Sequence, residues 1–158
     1  MHAPIYPRRG SAALRRGRCS EQGRIYLVTF TTHRRARLYD DWTCARAVAR
    51  ALHERRLWRD SILLCWVLMP DHWHGLVQLA GGDTLSTLIG RVKTVTARAA
   101  RTGHTSDPVW SSGYHDHALR RDEQCIAVAR YIVANPVRAG LCDLVGEYPF
   151  WDAIWLKG

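Results

Sequence analysis

Ser61–Leu79, SILLCWVLMPDHWHGLVQL, is the stretch from which the rest of the chain can be read. Ser61–Met69 is apolar on both faces, as a central strand must be, and Pro70-Asp71 makes a tight turn. His72–Leu79 then suits a second strand, paired antiparallel with the first. A β-hairpin at mid-chain is the anchor of the fold.

On the N-terminal side, Ile25–Thr31 (IYLVTFT) is β-branched and aromatic, a strand by composition and length. Asp41 is placed as the N-cap of a helix running to about Trp58. Its apolar positions Ala45, Val48, Ala49, Leu52 and Leu57 recur at helical spacing, with arginines between them. On the C-terminal side Gly81-Gly82-Asp83 is a loop. Thr84 to about Arg101 is a helix with Leu85, Leu88, Ile89, Val92 and Val95 on one face. Short extended stretches follow at Val109-Trp110 and Tyr114–Leu119, then a helix from Asp122 to about Asn135 that Pro136 stops. The order is strand, helix, strand, strand, helix, strand, helix. The expected class is α+β, a ferredoxin-like antiparallel sheet with helices packed mainly on one face.

The 158 residues fit one domain, long enough for a core without disulfide or metal staples, and the hydrophobic share of 47% agrees. Residues 1–23 read as a flexible basic arm, 24–145 as the folded domain, and 146–158 as a C-terminal aromatic tail. That tail's run Tyr148–Trp155 is aromatic enough to dock rather than dangle. The longest apolar run, Ile62–Met69, is far short of a membrane span, and the N-terminus lacks the apolar stretch of a signal peptide. A cytoplasmic location is expected. Cys19, Cys44, Cys65, Cys125 and Cys142 are odd in number, widely spaced and without a CxxC pair. They suggest neither a disulfide framework nor a thiolate zinc site.

Lys+Arg number 23 against 14 Asp+Glu, a net charge of +9, and only Lys93 and Lys157 are lysines. The planar guanidinium pairs with phosphate bidentately and stacks on bases, which favours a nucleic-acid partner. A GC-rich genome that writes Arg for Lys would also enrich arginine, but it does not explain the excess over acids.

Two features carry chemistry. On a strand, His72 and His74 project from one face while Trp73 points into packing on the other. Two imidazoles about 7 Å apart along a strand can converge on one divalent metal. The alternative is an ordinary pair in a chain with eight histidines. Asp71, His104, His115, Asp116 and His117 are further potential ligands. On the last helix, Cys125, Ile126, Ala129, Ile132, Val133 and Val137 fall on one side. Gln124, Ala127, Tyr131, Asn135 and Arg138 fall on the other. Tyr131 thus lies in a polar stripe, as a surface tyrosine or as a reactive one. A phenol, with a pKa about 10, needs an activated electrophile or help in losing its proton. A metal held by the histidine pair would activate a phosphodiester.

Met69-Pro70-Asp71-His72-Trp73-His74-Gly75-Leu76 resembles the histidine–hydrophobic–histidine (HUH) motif. Tyr131-Ile132-Val133-Ala134-Asn135-Pro136-Val137-Arg138-Ala139-Gly140-Leu141 resembles the tyrosine helix of the same proteins, with Gly113–Arg120 (GYHDHALR) between them. In this order the three motifs resemble the REP-associated tyrosine transposases, single-tyrosine HUH transposase-like proteins, over about Tyr26–Leu141. Trp73 is bulkier than the usual Val or Ile, and Gly75 stands where a larger apolar residue is common.

The resemblance implies that Tyr131 is the catalytic nucleophile. It implies that His72 and His74, with the amide of Asn135, bind Mg²⁺ or Mn²⁺; imidazoles suit manganese better than magnesium, so the metal stays open. It further implies cleavage and strand transfer of single-stranded or hairpin DNA of the repetitive-extragenic-palindrome type through a 5′-phosphotyrosine, by a monomer rather than a dimer, with the dimer left open. Candidate DNA contacts are Arg34, Arg35, Arg37, Lys93, Arg120, Arg121 and Arg138. Two other readings stay open: a domesticated hairpin-DNA-binding protein with little turnover, and a phosphodiesterase in which water attacks and Tyr131 only positions substrate.

Overall fold

The computed structural model describes residues 23–101, 106–120 and 123–156. Residues 1–22 of the expected basic arm, Cys19 among them, lie outside them, as do His104, Arg121 and Asp122, the expected start of the last helix. Five strands, β1 (Ile25–Thr31), β2 (Ile62–Met69), β3 (His72–Gln78), β4 (His115–Ala118) and β5 (Trp151–Ala153), form one sheet in the order β4-β1-β3-β2-β5. Every pairing is antiparallel. The mid-chain hairpin forms as read, with Met69 opposite His72 and Val67 opposite His74. β1 takes the other side of β3, so the histidine strand is central, held by β1 and β2.

The helices are α1 (Trp42–Leu52), α2 (Arg55–Trp58), α3 (Leu85–Ala100), α4 (Glu123–Val133) and α5 (Asn135–Arg138). Asp41 caps α1 by accepting from the amides of Thr43 and Cys44, and the Thr84 hydroxyl caps α3 by accepting from the Thr87 amide. The helix expected over Asp41–Trp58 is two pieces, because the chain turns at His53 and Glu54 before α2. The helix expected to end at Pro136 pauses earlier, at Ala134. A short turn then resumes with Pro136 in its first positions, where its missing N–H breaks no bond.

The two faces of the sheet are covered differently. Alternate residues Phe30, Trp66, Leu68, Trp73 and Val77 point to one face and pack under α1 and α3, with Tyr39 and Trp110, as the main core. On the other face Leu27, Cys65, Val67, Met69 and Leu76 meet Cys125, Ala129 and Ile132 of α4. The helices sit mainly on the first face. α4 packs on the second face across β2, touching β3 and β5 at its margins. Its apolar side requires that cover.

Trp73 and Gly75 explain one another. The Trp73 indole, stacked on Phe30 at 5.0 Å between centroids, lies along its own strand, so that a Cβ on Gly75 would overlap the ring. A larger residue between the histidines therefore requires none two positions later. The aromatic run near the C-terminus docks as expected. Phe150 is buried in the main core, and Trp151–Ala153 adds an edge strand to β2, giving the sheet a fifth member. Cys44, Cys65 and Cys125 are buried, and burial pushes the Cys65 thiol up to about 12. No described helix is long and apolar enough to cross a membrane.

Candidate active site

His72 and His74 emerge on the face that α4 crosses, because they share the register of Leu76, while Trp73 takes the opposite side. Their rings meet edge to face with centroids 4.7 Å apart. Each Nδ1 is occupied. That of His72 lies 2.6 Å from Asp71 Oδ1, and that of His74 lies 2.7 Å from the Thr29 hydroxyl on the neighbouring strand. A carboxylate accepts only, so the neutral His72 ring carries its proton on Nδ1 and its lone pair on Nε2. Thr29 permits the same tautomer at His74. No described residue hydrogen-bonds either Nε2.

Burial keeps both rings neutral. It pushes His74 down to about 3, with smaller contributions from His72, Arg138 and Arg35. Burial also lowers His72, against the opposing pull of Asp71. Burial alone would raise the Asp71 carboxyl, but the hydrogen bond from His72 and the charge of Arg35 carry it below the usual range. Neutral imidazole is the metal-binding form.

Asn135 opens α5, and its Nδ2 is buried without a hydrogen-bond partner. Turning the amide over to present its oxygen costs no bond at that atom. Two neutral imidazoles oriented from behind and one unengaged amide fit a divalent cation. Among the described residues no three His, Cys, Asp or Glu side chains converge. A cation there would rest on the two imidazoles, with the Asn135 amide, substrate and water as candidates for the remaining ligands.

Tyr131, 37% exposed, stands on the outer flank of α4. Arg138 lies 3.8 Å over its ring and donates from Nη2 to its backbone oxygen at 2.7 Å. The charge of the same guanidinium also contributes, after burial and His72, to lowering His74.

The other expected contacts divide. Arg34 and Arg35 occupy the turn after β1, both exposed and at φ 54° and 56°, in the left-handed region that costs a non-glycine residue about 1–2 kcal/mol. Arg35 reaches Asp71 at 3.4 Å. Arg120 is exposed beyond β4. Arg37 makes a two-pronged pair with Asp40, at 2.7 and 3.1 Å. Lys93 belongs to α3, on the Trp73 side of the sheet. It donates to the Ser111 oxygen at 2.8 Å and to that of Gly113, which makes it an anchor for the loop before β4. The structure does not bring Lys93 to the histidine face.

Of the additional ligand candidates, His115 and His117 lie on the histidine face, but across β1 from the pair, opposite Thr29 and Leu27. Asp116 takes the other face. Asp71 serves as a support for His72. Thr29 was not foreseen: its role depends on the pairing of β1 with β3, and no local pattern announces which residue faces His74.

A family model described as IS200-like transposase matches residues 20–135. A REP-associated tyrosine transposase of Escherichia coli strain K12 is 28% identical over 86 residues, 54% of this chain and 50% of that protein. A Haemophilus influenzae protein assigned to the same group is 26% identical over 102 residues, 58% of this chain and 57% of that one. The chain thus spans about half the length of the curated relatives it matches. Among solved structures, a REP-associated tyrosine transposase bound to a REP hairpin superposes with TM-score 0.66 at 25% identity, over 85% of this chain and 79% of that one. A transposase structure from Deinococcus radiodurans, 20% identical with TM-score 0.51 over 75% and 95% of the two chains, shares the fold. With the family model covering well over half of its length, the chain belongs to the IS200-like transposases.

Proposed function

We propose that this protein cleaves and rejoins single-stranded DNA beside a hairpin, with Tyr131 as nucleophile and with His72, His74 and Asn135 holding Mg²⁺ or Mn²⁺. The observation that carries the reading is the half-buried, neutral histidine pair. Each Nδ1 is occupied and each Nε2 is available, on the face crossed by the tyrosine helix. A cation bound there supplies Lewis-acid polarisation of the scissile phosphate.

The chain's own groups do the rest. The Tyr131 oxygen attacks phosphorus in line and gives up its proton as the O–P bond forms. The bond from phosphorus to the 3′ oxygen breaks, and that oxygen takes up a proton to leave a 3′-hydroxyl. The 5′-phosphotyrosine retains the bond energy, so a different 3′-hydroxyl can reverse the step without ATP. Arg138 holds the Tyr131 ring and the end of α4, and its charge favours an approaching phosphate. Arg34, Arg35 and Arg120, with Arg121 beside it in sequence, are the remaining cations proposed to guide an extended backbone. The hairpin substrate is proposed by analogy with the REP-hairpin complex that this fold matches.

The test is a denaturing gel with labelled hairpin oligonucleotides and Mn²⁺. Tyr131→Phe should lose the covalent protein–DNA adduct entirely and still bind DNA. An equal adduct from the variant overturns the nucleophile. Hydrolysed ends without an adduct from the native protein would mean that water attacks, and binding without cleavage would mean a domesticated hairpin binder.

A further inference from the structure

Residues 46–59 hold five arginines, Arg46, Arg50, Arg55, Arg56 and Arg59, against one acid, Glu54. All five are exposed, and none has an ion pair or side-chain hydrogen bond to another described residue. Asp83, whose carboxyl feels the charge of Arg59, is already bound by both terminal nitrogens of Arg91. Ala45, Val48, Ala51 and Leu52 turn α1 inward, against the Trp73 side of the sheet. The arginine side therefore looks away from His72 and His74. Unpartnered like charges on one surface repel one another, which works against the fold.

A second oddity lies in the same segment. Arg59 closes α2 at φ 53°, ψ −115°, backbone that an L side chain rarely adopts. Glycine would be at ease there, yet an arginine is held. It borders a cleft of about 390 Å³ between the α1–α2 junction and the β2 edge, lined also by His53, Arg55, Trp66 and one carboxylate, Asp152. Strain that keeps a cation at the rim of a positively charged cleft points to an anionic ligand.

We infer that the α1–α2 surface is a second nucleic-acid site, which grips duplex DNA by its phosphates without reading sequence. The inference rests on the reading that DNA is this protein's substrate. Duplex is favoured over single strand because base stacking needs exposed rings. Trp58 and Trp66 are buried, and the one exposed tryptophan of the segment, Trp42 at the start of α1, stands at the far end from Arg55, Arg56 and Arg59, edge-on to Phe150. Five charges spread over two helices, with a single exposed ring at one end, suit a phosphate backbone better than a row of stacked bases. The site lies across the sheet from the catalytic face, so the two can hold different DNA segments at once, a donor strand and a flanking or target duplex.

The test is fluorescence anisotropy across a salt series, with a labelled blunt duplex and, separately, a labelled single strand. The native protein should bind both, neither displacing the other. The triple variant Arg50→Ala/Arg55→Ala/Arg56→Ala should flatten the duplex salt slope by about two to three, about one for each phosphate no longer neutralised, and leave single-strand binding unchanged. The corresponding lysine triple should retain most of the duplex affinity. Arg59→Gly relieves the backbone, so it should unfold no earlier than native while binding duplex more weakly; a merely structural role for Arg59 would leave duplex affinity alone. An unchanged slope in the folded triple variant, or parallel loss of both ligands, overturns the second site. These readings require no cleavage, so an adduct surviving Tyr131→Phe would end the catalytic reading without touching this one.

Discussion

The two sides of β3 perform different work with alternate residues of a single strand. Trp73 is 1% exposed and stacks on Phe30 beneath α1 and α3, whereas His72 and His74 face α4 with only polar groups behind them. The large aromatic side concentrates apolar burial, and the histidine side keeps lone pairs available at the expense of packing. A rigid strand braced from the far side holds the two imidazoles more accurately than a loop could.

The first way to break this comparison is to cut the brace. Trp73→Ala should cost about 3–5 kcal/mol in urea unfolding, as loss of a buried tryptophan does. His72→Ala should stay within about 1 kcal/mol of native. Gly75→Leu alone should destabilise heavily, because its side chain meets the indole, and Trp73→Val/Gly75→Leu should recover part of the loss. Equal losses from Trp73→Ala and His72→Ala would erase the division of labour between the faces.

Much of this is legible in the amino-acid sequence. The hairpin declares itself because β2 is apolar throughout and Pro70-Asp71 interrupts it, and α3 because its apolar face repeats over sixteen residues behind a threonine cap. The alternation His-Trp-His fixes which side each residue takes once the strand is assumed. Less legible are the elements that depend on distant pairing. β5 is three residues long with an exposed Asp152 at its centre, too short to show a period. Lys93 reads as a DNA contact because a lone lysine on an amphipathic helix looks available, and only the fold brings the carbonyls of Ser111 and Gly113 to it. Ile126, placed on the apolar side of the last helix, is 46% exposed because α4 leans on the sheet through Cys125, Ala129 and Ile132, with Val128 and Val133 half-buried beside them, and turns Ile126 outward.

A smaller effect sharpens the structural face. Asp83 sits before α3 and takes Arg91 through both oxygens, at 3.1 and 2.6 Å, with the Ser61 hydroxyl at 3.3 Å. The Arg91 hydrogen bonds and charge hold its carboxyl below the usual range, although burial opposes them. A folded-state pKa depressed below the unfolded value of about 3.9 stabilises the fold above that pH, and the contribution fades as pH falls through the folded value. Asp83→Asn should therefore cost about 1.5–3 kcal/mol at pH 7. The gap to native should narrow below about pH 4, read by urea unfolding at both pH values. A gap that widens on acidification would show that Asp83 is not the acid-sensitive group of this face.

The smallest predicted change bears on the histidine face alone. Thr29→Val keeps the β-branched shape that suits β1 and removes only the hydroxyl at 2.7 Å from His74 Nδ1. If the far side of the sheet supplies the rigidity, the variant should melt close to native, and the fault should appear only in how His74 presents Nε2. Supports of this kind typically contribute about 10–100-fold to metal affinity. Mn²⁺ titration by calorimetry should thus weaken by roughly that factor, toward its lower end because Thr29 is neutral. Asp71→Asn should weaken it more, since it replaces a charge-assisted bond to His72 and also the ion pair with Arg35. The reverse ranking would mean that the threonine, rather than the carboxylate, governs how the pair is aimed, and that β1 rather than the Pro70-Asp71 turn sets the geometry of the site.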